Sequence, residues 1–66
     1  MRLNSSNLNS ADYDGNGTLT ITFNNDSVYN YYEVPHSEYT GLINASSAGG
    51  YLASHIKGRY HYRRIR

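Results

Sequence analysis

The chain has no cysteine and no tryptophan, and only one proline and one phenylalanine. Without cysteine it can form neither a disulfide nor a thiolate metal site, the two devices that most often hold small domains together. Packing alone must hold it, and a reducing cytoplasm is its expected compartment. No apolar run reaches the length of a signal-peptide core or a membrane span, so a soluble protein without a membrane partner is expected. Sixty-six residues amount to one domain, which buries only about 60% of the surface its unfolded chain exposes. Large side chains must do that burying, and here they are eight tyrosines. A tyrosine ring can pack while its hydroxyl reaches water or an acceptor, so this abundance is not by itself a binding signature.

Acid is also missing from one end. Lys57, Arg59, Arg63, Arg64 and Arg66 are five of the six basic residues, whereas the first 56 residues hold Arg2 against Asp12, Asp14, Asp26, Glu33 and Glu38. The net charge of +1 thus hides an acidic body with a basic tail, which points to an anionic partner for the tail.

The first five residues are expected to fray. Leu8, Ala11 and Tyr13 give a weak first strand over 7–13, ended by the turn Asp14-Gly15-Asn16-Gly17. Thr18 to Phe23 alternates threonine with Leu19, Ile21 and Phe23, a period of two with one wet face and one buried face. Asn24-Asn25-Asp26 is the next turn. Residues 27–34 form a third strand, dense in tyrosine and valine, which Pro35 ends. Pro35 suits the first turn of a helix. Tyr39, Leu42, Ile43 and Ser46 share one face of that helix, which is expected to end near Ala45 or Ser46. Ser47 can cap a second helix reaching Ile56, with Tyr51, Leu52, His55 and Ile56 inward and Gly58 as its stop. Residues 60–66 alternate again and can pair with a sheet edge. The fold expected is α+β, a three-stranded antiparallel meander covered by one or two helices. Its core candidates are Leu8, Leu19, Ile21, Phe23, Tyr39, Leu42, Ile43, Leu52 and Ile56.

Four constellations carry chemistry. Asp12 to Phe23 begins like an EF-hand loop, with Asp12, Asp14, Asn16, Gly17 and Leu19 in place, but Phe23 stands where the bidentate glutamate belongs and strands replace the flanking helices. A hairpin turn is the better reading, and no metal or cofactor is expected. His36, His55 and His61 lack metal-ligand spacing, and no nucleophile motif accompanies them, so no catalytic residue is assigned and an enzyme is not expected. Tyr29 and Tyr31 share one face of the third strand. A two-residue loop at Asn25-Asp26 would lay them over the threonines as a stacking platform. A three-residue loop with a left-handed Asp26 would set them opposite Ile21 and Leu19 and bury them, and the larger buried apolar area favours this register. Finally, the tail interleaves Lys57, Arg59, Arg63 and Arg64 with Tyr60 and Tyr62. Guanidiniums hold phosphates and tyrosines stack on unpaired bases, so these six are the candidate nucleic-acid-binding residues. A solvated terminus, its tyrosines on the helix and its arginines near Glu33 or Glu38, is the bland alternative.

Ser5-Ser6-Asn7-Leu8, Tyr29-Asn30-Tyr31, Val34-Pro35, Tyr39, Leu42, Ala45-Ser46-Ser47, Gly50-Tyr51, Ile56 and Tyr60-His61-Tyr62-Arg63 occur in an order that resembles the KTSC domain. That module of about sixty residues is found at the C-terminus of some lysyl-tRNA synthetases and as stand-alone bacterial and phage proteins. The two-glycine turn at Gly15 and Gly17 and the Ala53-Ser54 pair depart from its pattern, the second thinning the basic surface. The resemblance implies no catalysis. It implies an RNA-directed role through the synthetase fusion, with a protein-interaction module, bacterial or phage-encoded and acting on a host protein, as the alternative.

Overall fold

The first turn fixes the sheet. In the computed structural model, which describes residues 1–3 and 7–66, Asp14 Oδ1 accepts from the amides of Asn16 (2.7 Å) and Thr18 (3.0 Å). These bonds hold its carboxyl below the usual range, the Asn16 amide first. Gly17, at φ +100°, lets the backbone of Glu33 approach and accepts from Val34 N at 2.8 Å. Strands β1 (Leu8–Tyr13) and β2 (Leu19–Phe23) leave this turn antiparallel. Leu8 and Ala11 are an odd number apart and would fall on opposite faces of a regular strand. A register shift between Leu8 and Ser10 brings both to the buried face.

Strand β3 (Val28–Tyr31) follows in the three-residue-loop register. Ile21 faces Tyr29, Leu19 faces Tyr31, and Asp26 sits at φ +70°. Tyr31 is buried and Tyr29 half-buried. The strand stops short of the expected 34 because Glu33 turns left-handed, at φ +57°. That turn also brings Val34, which continued alternation would set opposite the tyrosines, into the core.

The basic tail supplies a fourth strand, so the sheet has the order β1-β2-β3-β4 rather than three strands. Strand β4 (Tyr62–Arg64) pairs with β3, Tyr62 beside Tyr31 and Arg64 beside Tyr29. Nor does the N-terminus fray over residues 1–3. Arg2 bridges to Ser10, Leu3 N donates to Asn9 O, and the Met1 ammonium reaches Ala11 O and, at 2.8 Å, Asp12 Oδ1. Residues 4 and 5 lie outside the described residues.

Helix α1 (His36–Asn44) begins one residue later than a first-turn proline implies, with Pro35 in extended conformation at the cap, and ends just short of Ala45. Ser47 caps α2 (Ala48–Tyr51), its Oγ accepting from Gly50 N. The helix then widens into one π-helical turn, Leu52–Ile56, closed by Lys57 N donating to Leu52 O at 2.8 Å. The wider turn keeps Leu52 and Ile56 buried but leaves His55 exposed, stacked on Tyr51 at 4.1 Å instead of facing inward.

The helices cover one sheet face, and Leu8, Ala11, Leu19, Ile21, Tyr31, Val34, Leu42, Ala48, Leu52 and Ile56 fill the space between. Phe23 and Tyr39 only flank this core, and Ile43 is half-exposed, because Leu42 holds the one fully buried position of a short α1. The opposite sheet face carries Ser10, Thr20, Thr22 and Asn30, with Thr20 Oγ1 donating to Asn30 Oδ1 at 2.7 Å.

Candidate functional site

Two aromatic systems hang on this frame. The first ties the helices together. Tyr51 Oη donates to Glu38 Oε1 at 2.6 Å and Tyr60 Oη to Glu38 Oε2 at 3.2 Å, so one carboxylate of α1 joins α2 to the approach to β4. The Glu38 hydrogen bond raises the Tyr51 hydroxyl above its ordinary pKa, and desolvation, then the Glu38 charge, raises that of Tyr60. Tyr13, stacked on Tyr39 at 5.3 Å and donating to Val34 O at 2.6 Å, anchors the start of α1 in the same way.

The second system lines a groove of about 720 Å³ between the β2–β3 turn, the π-helical turn and β4. Because residues opposite one another on paired strands share a face, Tyr62 and Arg64 lie on the side of Tyr31 and Tyr29. The Tyr62 ring stands 5.7 Å from that of Tyr29 and 5.8 Å from that of Tyr31, and Phe23 meets Tyr29 edge-on at 5.4 Å. Tyr31 is the floor. Burial, then its two tyrosine neighbours, pushes its hydroxyl above the ordinary value. Tyr62 is the exposed wall, 60% accessible. Lys57 Nζ lies 5.7 Å from the Phe23 centroid, within cation–π range. Arg64 Nη2 reaches Ser27 Oγ at 3.5 Å on the rim. Among the described residues that line the groove, Lys57 is the single charged one and none is a carboxylate.

The six tail residues are therefore divided. Lys57 and Tyr62 line the groove with Tyr29 and Tyr31, while Arg64 lies on the same sheet face with its Nη2 near Ser27 and its Nε donating to Arg66 O at 3.2 Å. Arg63 pairs with Asn30 and shares the opposite, threonine-bearing face. Tyr60 packs against the core at Glu38, and Arg59, in the turn beside it, opposes the rise of the Tyr51 and Tyr60 pKa values. Phe23, Asn24, Asn25 and Ser27 also line the groove, though their sequence pattern reads only as a core side chain and a turn. Asp14 holds its own turn and Asp12 meets the Met1 ammonium. Among the described residues no three His, Asp or Glu side chains gather in a way that could hold a metal ion, and no helix is long and apolar enough to cross a membrane.

An antiparallel sheet carrying short helices on one face, with an aromatic groove beside its last strand, defines a small α+β domain. The KTSC domain family model matches residues 4–60, and the chain belongs to that family. A crystal structure of a KTSC domain protein from Yersinia pestis superposes with a TM-score of 0.95 at 31% identity, covering 100% of this chain and 94% of that one. Lysine–tRNA ligases of Trichormus variabilis and Nostoc punctiforme are each 42% identical over 48 residues, 73% of this chain. The chain spans only 9% of the length of these ligases.

Proposed function

We propose that this domain is a non-catalytic nucleic-acid-binding module that prefers single-stranded RNA to DNA and works in the cytoplasm. The observation that carries the reading is the gathering of Tyr29, Tyr31, Tyr62 and Lys57 in one groove without an acid among its described lining residues, with Arg64 on the same sheet face. Aromatic faces beside cations are what sequence-tolerant single-strand binding requires: rings stack on unpaired bases, and the charges track the phosphates. The similarity to ligases that, by name, join lysine to tRNA supports RNA as the polymer. The cytoplasmic setting rests on the absence of cysteine. The test is an amide NMR titration with a short mixed-sequence single-stranded RNA at low and at physiological salt. Salt-sensitive shifts at residues 23–31 and 57–64, lost in the Lys57→Ala/Arg64→Ala double variant, are expected. Undiminished binding by that variant sinks the assignment. A partner whose affinity hardly changes with salt marks the alternative, an interface anchored on the exposed Tyr62 and Ile65 of the tail.

A further inference from the structure

The groove is more selective in shape than a track for a charged backbone. Its volume of about 720 Å³ falls within the roughly 300–1,000 Å³ typical of small-molecule sites. Two of its sides differ in kind. One is aromatic, from Phe23, Tyr29 and Tyr62, with Tyr31 below. The other is the β2–β3 turn, which brings Asn24 and Asn25 to the lining. Asn25 Oδ1 accepts from Ser27 N at 3.1 Å, which fixes the amide's orientation and leaves Nδ2 as the group it offers, a donor. Among the described residues, Lys57 is the one cation of the lining, and Arg64 Nη2 reaches the lining residue Ser27 at 3.5 Å.

We infer that this groove is a pocket for one unpaired nucleotide. Its base lies along Tyr62 and Tyr29, its edge meets the Asn24–Asn25 turn, and its phosphate sits between Lys57 and Arg64. A nucleobase has two apolar faces and a polar rim, the division that the aromatic side and the amide side repeat. Two cations suffice for one phosphate but not for a run of them, so the rest of a strand lies outside the groove. Asp26, in the adjoining turn, is not among the lining residues, and its carbonyl accepts from Arg66 Nε at 3.4 Å. This inference rests on the nucleic-acid reading of the same groove and narrows it to a single nucleotide.

The test titrates the isotope-labelled 66-residue chain separately with adenosine 5′-monophosphate, uridine 5′-monophosphate, adenosine and inorganic phosphate, and then with the short single-stranded RNA. Saturable shifts confined to residues 23–31 and 57–64 are expected with the nucleotides. Adenosine or phosphate alone should bind at least about tenfold more weakly. Tyr62→Ala should lose about fivefold or more, the loss of one stacked base. Tyr62→Phe keeps the ring and should retain binding, and the dispersion of each variant's spectrum reports its folding independently of the ligand. If the RNA binds with shifts elsewhere and the nucleotides produce none, the pocket is overturned while the nucleic-acid reading stands. If neither RNA nor nucleotide binds, both fall. Phosphate binding as tightly as nucleotide, or an acidic peptide occupying the groove that nucleotides leave empty, overturns the base pocket as well.

Discussion

Gly41 lies inside α1, where a glycine ordinarily costs a helix about 1 kcal/mol relative to alanine. Here the alanine would be worse, because its Cβ would run into the Tyr51 hydroxyl and ring. The ring would have to swing away from both Glu38 and His55. Gly41→Ala should therefore lower the melting temperature, whereas the same change in a Tyr51→Ala background should raise it. A rise in both backgrounds would mean that the ring yields freely. Glu33 makes the opposite case. It is exposed at φ +57°, where an L side chain costs roughly 1–2 kcal/mol, so Glu33→Gly should stabilise the fold by about 1 kcal/mol in denaturant melts. A loss of stability there would show that the side chain does more than tolerate the turn. The tyrosine hydroxyls set the pH response. Tyr31, Tyr51 and Tyr60 all have folded-state values above the ordinary 10.0. Their contribution is complete below about pH 10, where both states hold the proton, and is lost as pH rises through the folded-state values. Tyr51→Phe removes one such group, so its stability should fall less steeply above pH 10 than that of the wild type. Equal slopes would contradict the Glu38 hydrogen bond.

Among the elements, the β2–β3 hairpin decides which side of the sheet the aromatic residues occupy. Side chains alternate with a period of two, so shortening the loop by one residue sends Tyr29 and Tyr31 to the threonine face. Deleting Asn25 should then empty the floor of the core and abolish cooperative thermal unfolding, whereas replacing it with glycine should not. A cooperatively folded deletion variant would show that the register is set elsewhere. This element was legible from the sequence because Leu19, Ile21 and Phe23 alternate cleanly and burial of the largest apolar area separates the two registers. The fourth strand was less so. Tyr60 to Arg66 alternates in type, but every residue of β4 is exposed, so no buried face marks the segment as sheet. The pinned N-terminus escaped for a related reason: its bonds run from backbone and ammonium groups, which leave no side-chain pattern. At the site, Tyr29 and Tyr31 and the tail charges could be named from the sequence. Which tail residue faces which way could not, because that depends on β4 pairing with β3.

For the whole molecule, this pairing converts a linear run of charge into two surfaces. By composition the tail offers Arg59, Arg63 and Arg64 as equal phosphate contacts, whose joint loss would abolish binding. The fold separates them: Arg64 lies on the groove side, Arg63 on the opposite sheet face, and Arg59 beside the Glu38 cluster. With Lys57 and Arg64 sharing one phosphate, log K for a short single-stranded RNA should fall against log salt with a slope of about −0.7, the value for a single phosphate neutralised. Lys57→Ala and Arg64→Ala should each flatten that slope, and Arg63→Ala should leave it at about −0.7. The comparison separates a groove from a diffuse basic tail, because a tail predicts the same loss from every arginine. Fluorescence anisotropy with a labelled RNA at four or five salt concentrations resolves a change of that size. An equal drop in slope for Arg63→Ala and Arg64→Ala would show that the strand rides the tail as a charged edge and that the aromatic groove has no part in holding it.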